Sequence, residues 1–409
     1  MSLIVQKFGG TSVADAERLF NVAQIVTETA VEGNSVVVVV SAQGDTTDTL
    51  LAKAAEINPN GSKREMDVLL STGEQASMAL LALAIERTGF SVITLTGWQA
   101  GFKTDTAYGN ARIEEIDCKR VQSELDRGNI VIIAGFQGIN KYDDITTLGR
   151  GGSDTTAVAY AAALKADLCQ IYTDVDGIYT TDPRLVANAR KLSEISFDEM
   201  LELASLGAQV LHNRSVELAK KYNVNMEVLS SLHRVPGTKV KEASDVEKLL
   251  VKGIARDNDI ARISIVGVPD EPGVAFRIFS LLAQKRINVD IILQSIGRDG
   301  SKDISFTIAH GNLGTTLDLL HTNAGMFNAK NITFDENISK VSIVGAGMAT
   351  NPGVAAKMFE ALYEAGINIQ MISTSEIKIS VLIQRSEAER AVSVIHDYFN
   401  LGTGGEKTV

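Results

Sequence analysis

The chain has 409 residues, 45% of them apolar, with a formal net charge of −11. That length calls for more than one domain, and the acidic balance argues against nucleic acid and anionic membrane as partners. An anionic substrate would need a local cationic pocket. The only two cysteines, Cys118 and Cys169, lack metal or redox spacing and read as ordinary buried or half-buried residues. The start, Met1-Ser-Leu-Ile-Val-Gln6, has no charged-apolar-small leader pattern, and the apolar run Val36–Val40 is too short to span a bilayer. The expectation is a soluble, cytoplasmic protein.

In chain order, Leu3–Gln6 reads as a strand running into Lys7-Phe-Gly-Gly-Thr-Ser12, and Asp15 to about Glu32 as a helix. Val36–Ser41 is an uninterrupted β-branched run, as in a strand buried on both faces of a parallel sheet. Helices follow at about Leu50–Glu56 and Lys63–Thr88, the second containing Ser71-Thr-Gly-Glu-Gln75. Ser91–Thr96 and Ile130–Ala134 are further strands around a helix at Cys118–Arg127, and Gly135-Phe-Gln-Gly138 turns into a hairpin-like stretch.

Then comes Thr147-Leu-Gly-Arg-Gly-Gly-Ser-Asp154, leading into an Ala-rich helix. Its glycines allow sharp turns and close approach of a ligand. Ser153 or Asp154 is placed to cap the helix, whose N-terminal N–H groups attract anions, and Arg150 adds a forked donor. Leu168–Thr173 is a strand into Asp174-Val-Asp-Gly-Ile-Tyr-Thr-Thr-Asp-Pro-Arg184; Phe197–Leu206 and Gln209–Tyr222 read as helices and Asn225–Leu229 as a strand. Strands alternating with helices give an α/β domain, 1–240, with a mainly parallel sheet and helices on both faces. Neither a P-loop nor a dinucleotide fingerprint is present, so several separate loops would hold phosphate.

Residues 241–260 read as a charged connector and an orphan strand. An internal repeat follows. Arg262-Ile-Ser-Ile-Val-Gly267 recurs as Lys340-Val-Ser-Ile-Val-Gly345, Pro272-Gly-Val274 as Pro352-Gly-Val354, and Ile287-Asn-Val289 as Ile367-Asn-Ile369. Each copy, 261–338 and 339–402, reads as a small α+β sandwich. The second lacks a final strand, so Val251–Arg256 is expected to complete its sheet, with the first copy inserted into the second.

Lys7-Phe-Gly-Gly-Thr-Ser12, Ser71-Thr-Gly-Glu74, Gly149-Arg-Gly-Gly-Ser-Asp154, Tyr172-Thr-Asp-Val-Asp-Gly177 and the paired repeats together resemble the aspartate kinases. The resemblance covers essentially the whole chain. It implies a three-layer αβα amino-acid kinase fold followed by two ACT (βαββαβ) domains, in the monofunctional form and not the fusion with homoserine dehydrogenase. The implied reaction is phosphorylation of the L-aspartate β-carboxylate by ATP with Mg²⁺, the first step toward lysine, threonine and methionine. Implied effectors are lysine, threonine or both, acting on a homo-oligomer, a dimer or larger, joined through its ACT domains. Alternative readings are glutamate kinase or another kinase of this fold, against which the doubled tail speaks, and a non-catalytic amino-acid sensor, against which the retained Lys7, Glu74, Arg150 and Asp154 speak.

An aspartate carboxylate is already ionised at pH 7, so no general base is needed, and catalysis rests on positioning and charge stabilisation. Lys7, with Phe8, Gly9 and Gly10 following, is assigned to the transferring phosphoryl group. Asp154 is assigned to orienting Lys7 or the substrate ammonium. Arg150 suits a substrate carboxylate and Glu74 its ammonium; Thr47, Gly151, Gly152 and Ser153 complete the expected aspartate site. The resemblance places ATP along Ser41, Thr173, Asp174, Tyr179, Asp182 and Arg184, with Asp174 and Asp182 as candidate Mg²⁺ carboxylates and no dedicated metal cage. Gln209 and Asn213 depart from the Lys and Pro of many relatives; Gln209 can donate a hydrogen bond but lacks charge, so either nucleotide binding is weaker or another cation substitutes, and His212 is given no role. Effector contacts are expected at Asp270, Gly273, Ala275 and Gln294 of the first repeat and at Asn368, Ile369, Ser375 and Glu376 of the second.

Overall fold

The computed structural model describes residues 2–206, 210–242, 250–296, 300–349 and 351–403. They form two compact units, Met1–Tyr179 with Lys191–Val246, and Thr180–Arg190 with Glu247–Val409.

The first unit runs β1 (Leu3–Phe8), α1 (Ala16–Val31), β2 (Ser35–Val40), α2 (Thr46–Ile57), α3 (Lys63–Glu86), β3 (Val92–Leu95), β4 (Phe102–Thr104), β5 (Ile113–Ile116), α4 (Lys119–Asp126), β6 (Ile130–Ala134), β7 (Gln137–Ile139), β8 (Ile145–Thr147), α5 (Gly152–Leu164), β9 (Leu168–Thr173), β10 (Glu194–Ser196), α6 (Phe197–Ser205), α7 (Asn213–Tyr222), β11 (Met226–Ser230) and β12 (Thr238–Lys241). The main sheet has the order β10-β12-β11-β9-β1-β2-β6-β3. It is parallel except where β12 runs against β11, with β10 beside β12. Strand order reverses at β1, with β2 on one side and β9 on the other. Open α/β sheets bind ligands at such a switch point, beyond the carboxyl ends of the strands.

Val36–Val40 of β2 are buried throughout. Val36, Val38 and Val40 pack on Leu19, Val22 and Val26 of α1 and on Leu81 and Ile85 of α3. The alternate residues Val37 and Val39 point to the opposite face, where α5 lies against β1, β2 and β9. By length and composition α3 could cross a bilayer, but here Met78, Leu81 and Ile85 are part of the core and Asp67 and Glu74 are buried with them. A second, small sheet, β5-β4-β7-β8, has strands too short to register as periodic patterns.

Two local expectations are corrected. Neither Ser153 nor Asp154 caps α5. Gly151, at φ 66°, holds the cap position without a side-chain hydrogen bond, and both residues fall inside the first turn. The Asp154 carboxylate instead pairs with the Lys7 ammonium at 2.7 Å. The helix expected from Gln209 begins at Asn213, with His212 accepting from the Arg214 N–H; Gln209 itself lies outside the described residues.

The second unit runs β13 (Gly253–Asp257), β14 (Ala261–Val268), α8 (Val274–Gln284), β15 (Ile292–Ile296), β16 (Lys302–Ile308), α9 (Leu313–Thr322), β17 (Asn331–Asp335), β18 (Ile338–Val344), α10 (Val354–Glu364), β19 (Met371–Thr374), β20 (Lys378–Gln384) and α11 (Ala388–Tyr398). Its sheets are β15-β16-β14-β17 and β13-β18-β20-β19. The strand preceding the first repeat, β13, thus pairs antiparallel with the first strand of the second repeat, Gly253 opposite Val344. Each repeat has its own core, around Ile263, Ile278 and Phe306 in the first and Val341, Met358 and Ile395 in the second. The segment Thr180–Arg190 is built into the second core through Val186. Its Thr180 carbonyl accepts the Ile254 N–H at 2.7 Å, and its hydroxyl lies 2.9 Å from His396 Nε2.

Candidate active site

A cleft of about 310 Å³ opens beyond the carboxyl ends of β1, β2 and β6. Lys7, Gly10, Ser41, Thr47 and Glu74 line one part of it, and Arg150, Gly151, Gly152, Ser153 and Asp154 another. Lys7 comes from β1, between Val39 of β2 and Ile171 of β9. With its side chain only 11% exposed, its ion pair with Asp154 is held in one geometry.

Glycines set how closely the walls approach. A Cβ on Gly10 would lie 2.6 Å from the Ala42 carbonyl oxygen, and one on Gly73 would lie 2.8 Å from the Ala42 Cβ. The second contact lets α3 close onto the loop after β2, where the Ala42 N–H donates to Glu74 Oε1 at 3.1 Å. The other Glu74 oxygen is buried without a hydrogen-bond partner. Burial pushes the Glu74 carboxyl from its ordinary 4.5 up to about 7, against the smaller downward pull of its hydrogen bonds.

Opposite, Arg150 is exposed at the cleft rim and has no ion-pair partner among the described residues. The first turn of α5 has N–H groups without intrahelical partners and faces the same space. One cleft therefore offers a lysine, a guanidinium and a helix N-terminus for anions, and a buried carboxylate oxygen for a cation. Ala42, Gly44, Phe136 and Gly149 also line it. Phe136 adopts a left-handed φ of 69°, a conformation its sequence position gave no reason to expect.

The other expected site residues lie elsewhere. Phe8 is fully buried and stacks on Tyr172, ring centroids 4.7 Å apart. The Gly9 N–H donates to the Tyr172 carbonyl at 3.3 Å, so it is not free for phosphate. Thr173 ends β9 and donates its hydroxyl to the carboxylate of the next residue, Asp174, at 3.0 Å. Tyr179 donates its hydroxyl to Asp176 at 2.7 Å. Asp182 and Arg184 belong to the second unit and pair with each other at 2.7 Å. In the first repeat, Asp270 pairs with Lys302 at 2.5 Å, Gly273 (φ 94°) caps α8, Ala275 is exposed in its first turn, and Gln294 is exposed on the edge strand β15. In the second, Asn368, Ser375 and Glu376 are exposed and Ile369 half-buried on either side of β19.

Residues 2–230 match the amino acid kinase family, and residues 263–323 and 341–399 each match the ACT domain. The architecture is therefore a kinase domain of that family followed by two ACT domains. The chain is 52% identical to the aspartokinase of Bacillus sp. (strain MGA3), covering all of both chains. Among solved structures it is similar to E. coli aspartokinase III in complex with aspartate and ADP, with a TM-score of 0.85 and 27% identity, covering 97% of this chain and all of that one. It is also similar to the same enzyme in complex with lysine and aspartate, with a TM-score of 0.77 and 27% identity over 98% and 99% of the two chains. The chain belongs to the aspartokinases, enzymes of the amino acid kinase family.

Proposed function

We propose that the cleft binds L-aspartate between Arg150 and Glu74, and that Lys7 stabilises the phosphoryl group as it passes from ATP to the β-carboxylate. The observation that carries this reading is the pairing of opposite poles in one cleft: exposed Arg150 with the α5 N-terminus, and the unpartnered oxygen of buried Glu74. An amino acid with a second carboxylate satisfies both. One β-carboxylate oxygen attacks the γ-phosphorus, the bond to the β,γ-bridging oxygen breaks, and ADP leaves with that electron pair. The products are 4-phospho-L-aspartate and ADP. No proton moves, so the barrier is the approach of one anion to another, which fixed positive charge lowers. Asp154 holds the Lys7 ammonium in place, while Thr47 and Ser153 supply hydroxyl donors.

The nucleotide is proposed to lie along Ser41, Thr173, Asp174 and Tyr179, with Asp182, Arg184 and Gln209 as further candidates. Mg²⁺ bound with ATP would add charge neutralisation, with Asp174 and Asp182 as the candidate carboxylates beside it. Among the described residues no group of three or more His, Cys, Asp or Glu could hold a metal. The ion would therefore be held mainly through phosphate and water, as Mg²⁺ commonly is. The reaction is assigned to the cytoplasm, where ATP is available.

The test is Arg150→Lys. A point charge cannot replace a planar fork, so the aspartate KM should rise about 10- to 100-fold, the loss of one charge-assisted hydrogen bond, with the ATP KM within about twofold. An unchanged aspartate KM would place the clamp elsewhere.

Regulation by lysine, threonine or both is proposed at Asp270, Gly273, Ala275 and Gln294, with Asn368, Ile369, Ser375 and Glu376 from the second repeat. Self-association is proposed through β15. This edge strand exposes Ile292 (54%), Leu293 (47%) and Ile296 (77%), an arrangement that invites strand pairing with a second copy. Both are checked on the full chain. Light scattering should give at least twice the chain mass, and a monomer would contradict the pairing. Asp270→Ala should raise the lysine or threonine concentration for half-inhibition about tenfold or more, equivalent to about 1.4 kcal/mol or more, with the uninhibited rate unchanged. Normal inhibition in that variant would move the effector site away from Asp270.

A further inference from the structure

Asp67 is fully buried in the second turn of α3, and the reaction outlined above makes no use of it. It has no ion-pair partner among the described residues, and burial weighs on it more than the nearby charge of Lys63. Such a carboxylate is costly to bury unless its oxygens are satisfied. Both are. Oδ2 accepts the Gly109 N–H at 2.9 Å and the Thr147 N–H at 3.0 Å, and Oδ1 accepts the Thr147 hydroxyl at 2.8 Å.

These donors belong to the framework of the loop that carries Arg150. Thr147 is the last residue of β8, three before Arg150. The Gly109 carbonyl oxygen lies against Gly149, at 3.2 Å from where a Cβ would stand. From another direction Arg214 donates to the Leu148 carbonyl at 3.2 Å and to the Ala111 carbonyl at 2.9 Å. The Ala111 N–H in turn donates to the Thr147 carbonyl at 2.8 Å. The stem of the loop is thus tied to α3 by Asp67.

Glu74 lies on the same helix, seven residues on. Seven residues are nearly two full turns, so both carboxylates project from one face of α3. We infer that Asp67 is a positioning residue for substrate binding: it fixes the Arg150 loop relative to the helix that carries Glu74, and so sets the separation between the two poles that hold aspartate. This rests on the proposed assignment of those poles. A misplacement of about 1 Å in such a site can cost about 100-fold, whereas the hydrogen bonds of Asp67 run to Gly109 and Thr147 and not to Thr173, Asp174 or Tyr179.

The experiment measures both KM values and kcat for Asp67→Ala, Asp67→Asn, Thr147→Val and Arg150→Lys in the full chain. Asp67→Ala should raise the aspartate KM about tenfold or more and leave the ATP KM within about twofold. Asp67→Asn should restore the aspartate KM to within about threefold of wild type. Its amide oxygen can accept both backbone N–H groups while its NH₂ donates to the Thr147 oxygen. Thr147→Val, which loses one bond of three, should give an intermediate rise and carries the test if Asp67→Ala does not fold.

A parallel rise in both KM values would mean general destabilisation and overturn the inference. So would an unchanged aspartate KM in Asp67→Ala and Thr147→Val, or Asp67→Asn failing as badly as Asp67→Ala. Arg150→Lys separates the two levels. If it raises the aspartate KM while the Asp67 and Thr147 variants do not, only the positioning role falls. If it too has no effect, the assignment of the poles falls with it.

Discussion

Lys7→Ala should lower kcat about 10²- to 10³-fold, the usual cost of removing one preorganised donor from a developing anion, while changing the ATP KM by less than about threefold. The Lys7 ammonium is held at 2.7 Å from Asp154 in a cleft side where both side chains are nearly buried. Its charge needs no reorganisation when the phosphoryl group moves, which makes it worth more there than in water. The variant also leaves Asp154 as an uncompensated carboxylate beside the phosphates, adding repulsion and some loss of stability. The double variant Lys7→Ala/Asp154→Ala separates these effects. It should regain stability in a urea melt but not turnover. Turnover near wild type in Lys7→Ala would remove Lys7 from the chemistry.

The second large effect is a pH dependence centred on Glu74. Its carboxyl is raised to about 7 in the folded chain by burial, and only the ionised form can pair with an ammonium. The aspartate KM should therefore fall as pH rises through the range 5–7 and level off above about 7. At pH 6 it should be about tenfold above the plateau, one decade per pH unit below the pKa. Glu74→Gln should flatten the profile and keep KM high throughout. Stability of the ligand-free chain should fall over the same range in which aspartate binding improves. A carboxyl whose folded pKa exceeds its unfolded value keeps its full contribution below the unfolded pKa, 4.5, and loses it as pH rises through the folded value, about 7. Between pH 4.5 and 7 that loss is on the order of 3 kcal/mol. The stabilities of wild type and Glu74→Gln from urea melts should diverge by that total across this range. Parallel curves would mean that Glu74 titrates as an ordinary surface carboxylate.

Much of this molecule is legible in its residues where the signal is local. The β-branched runs Val36–Val40 and Ile130–Ala134 read as doubly buried strands because nothing polar interrupts them, and each lies inside the main sheet with a strand on either side. The repeat shows through Pro272-Gly-Val274 and Pro352-Gly-Val354 because each opens a helix at a glycine of positive φ. The cleft was partly legible for a related reason: glycine pairs and charged residues at strand ends mark loops that a ligand can approach.

What stayed hidden depends on partners distant in the chain. Strands of three or four residues, such as Gln137–Ile139 and Ile145–Thr147, are too short to show a period. Asp67 reads as an ordinary acidic residue near a helix start, because its donors at Gly109 and Thr147 lie 42 and 80 positions away. The pairing of Asp154 with Lys7, by contrast, is anticipated from the sequence, and only the additional capping role is not found. The Thr180–Arg190 segment continues a loop of the first unit yet contributes Val186 to the second repeat's core, which no local pattern announces.

The most direct measurement is ADP release by the full chain with Mg-ATP and, separately, L-aspartate, L-glutamate, N-acetyl-L-glutamate and a nucleoside monophosphate, with hydroxylamine present to trap any acyl phosphate. The expected result is ADP and an equal amount of hydroxamate with L-aspartate, and neither above background with the others. Preference for another acceptor, or no ADP release with any of them, would contradict the assignment of the Arg150–Glu74 cleft to aspartate.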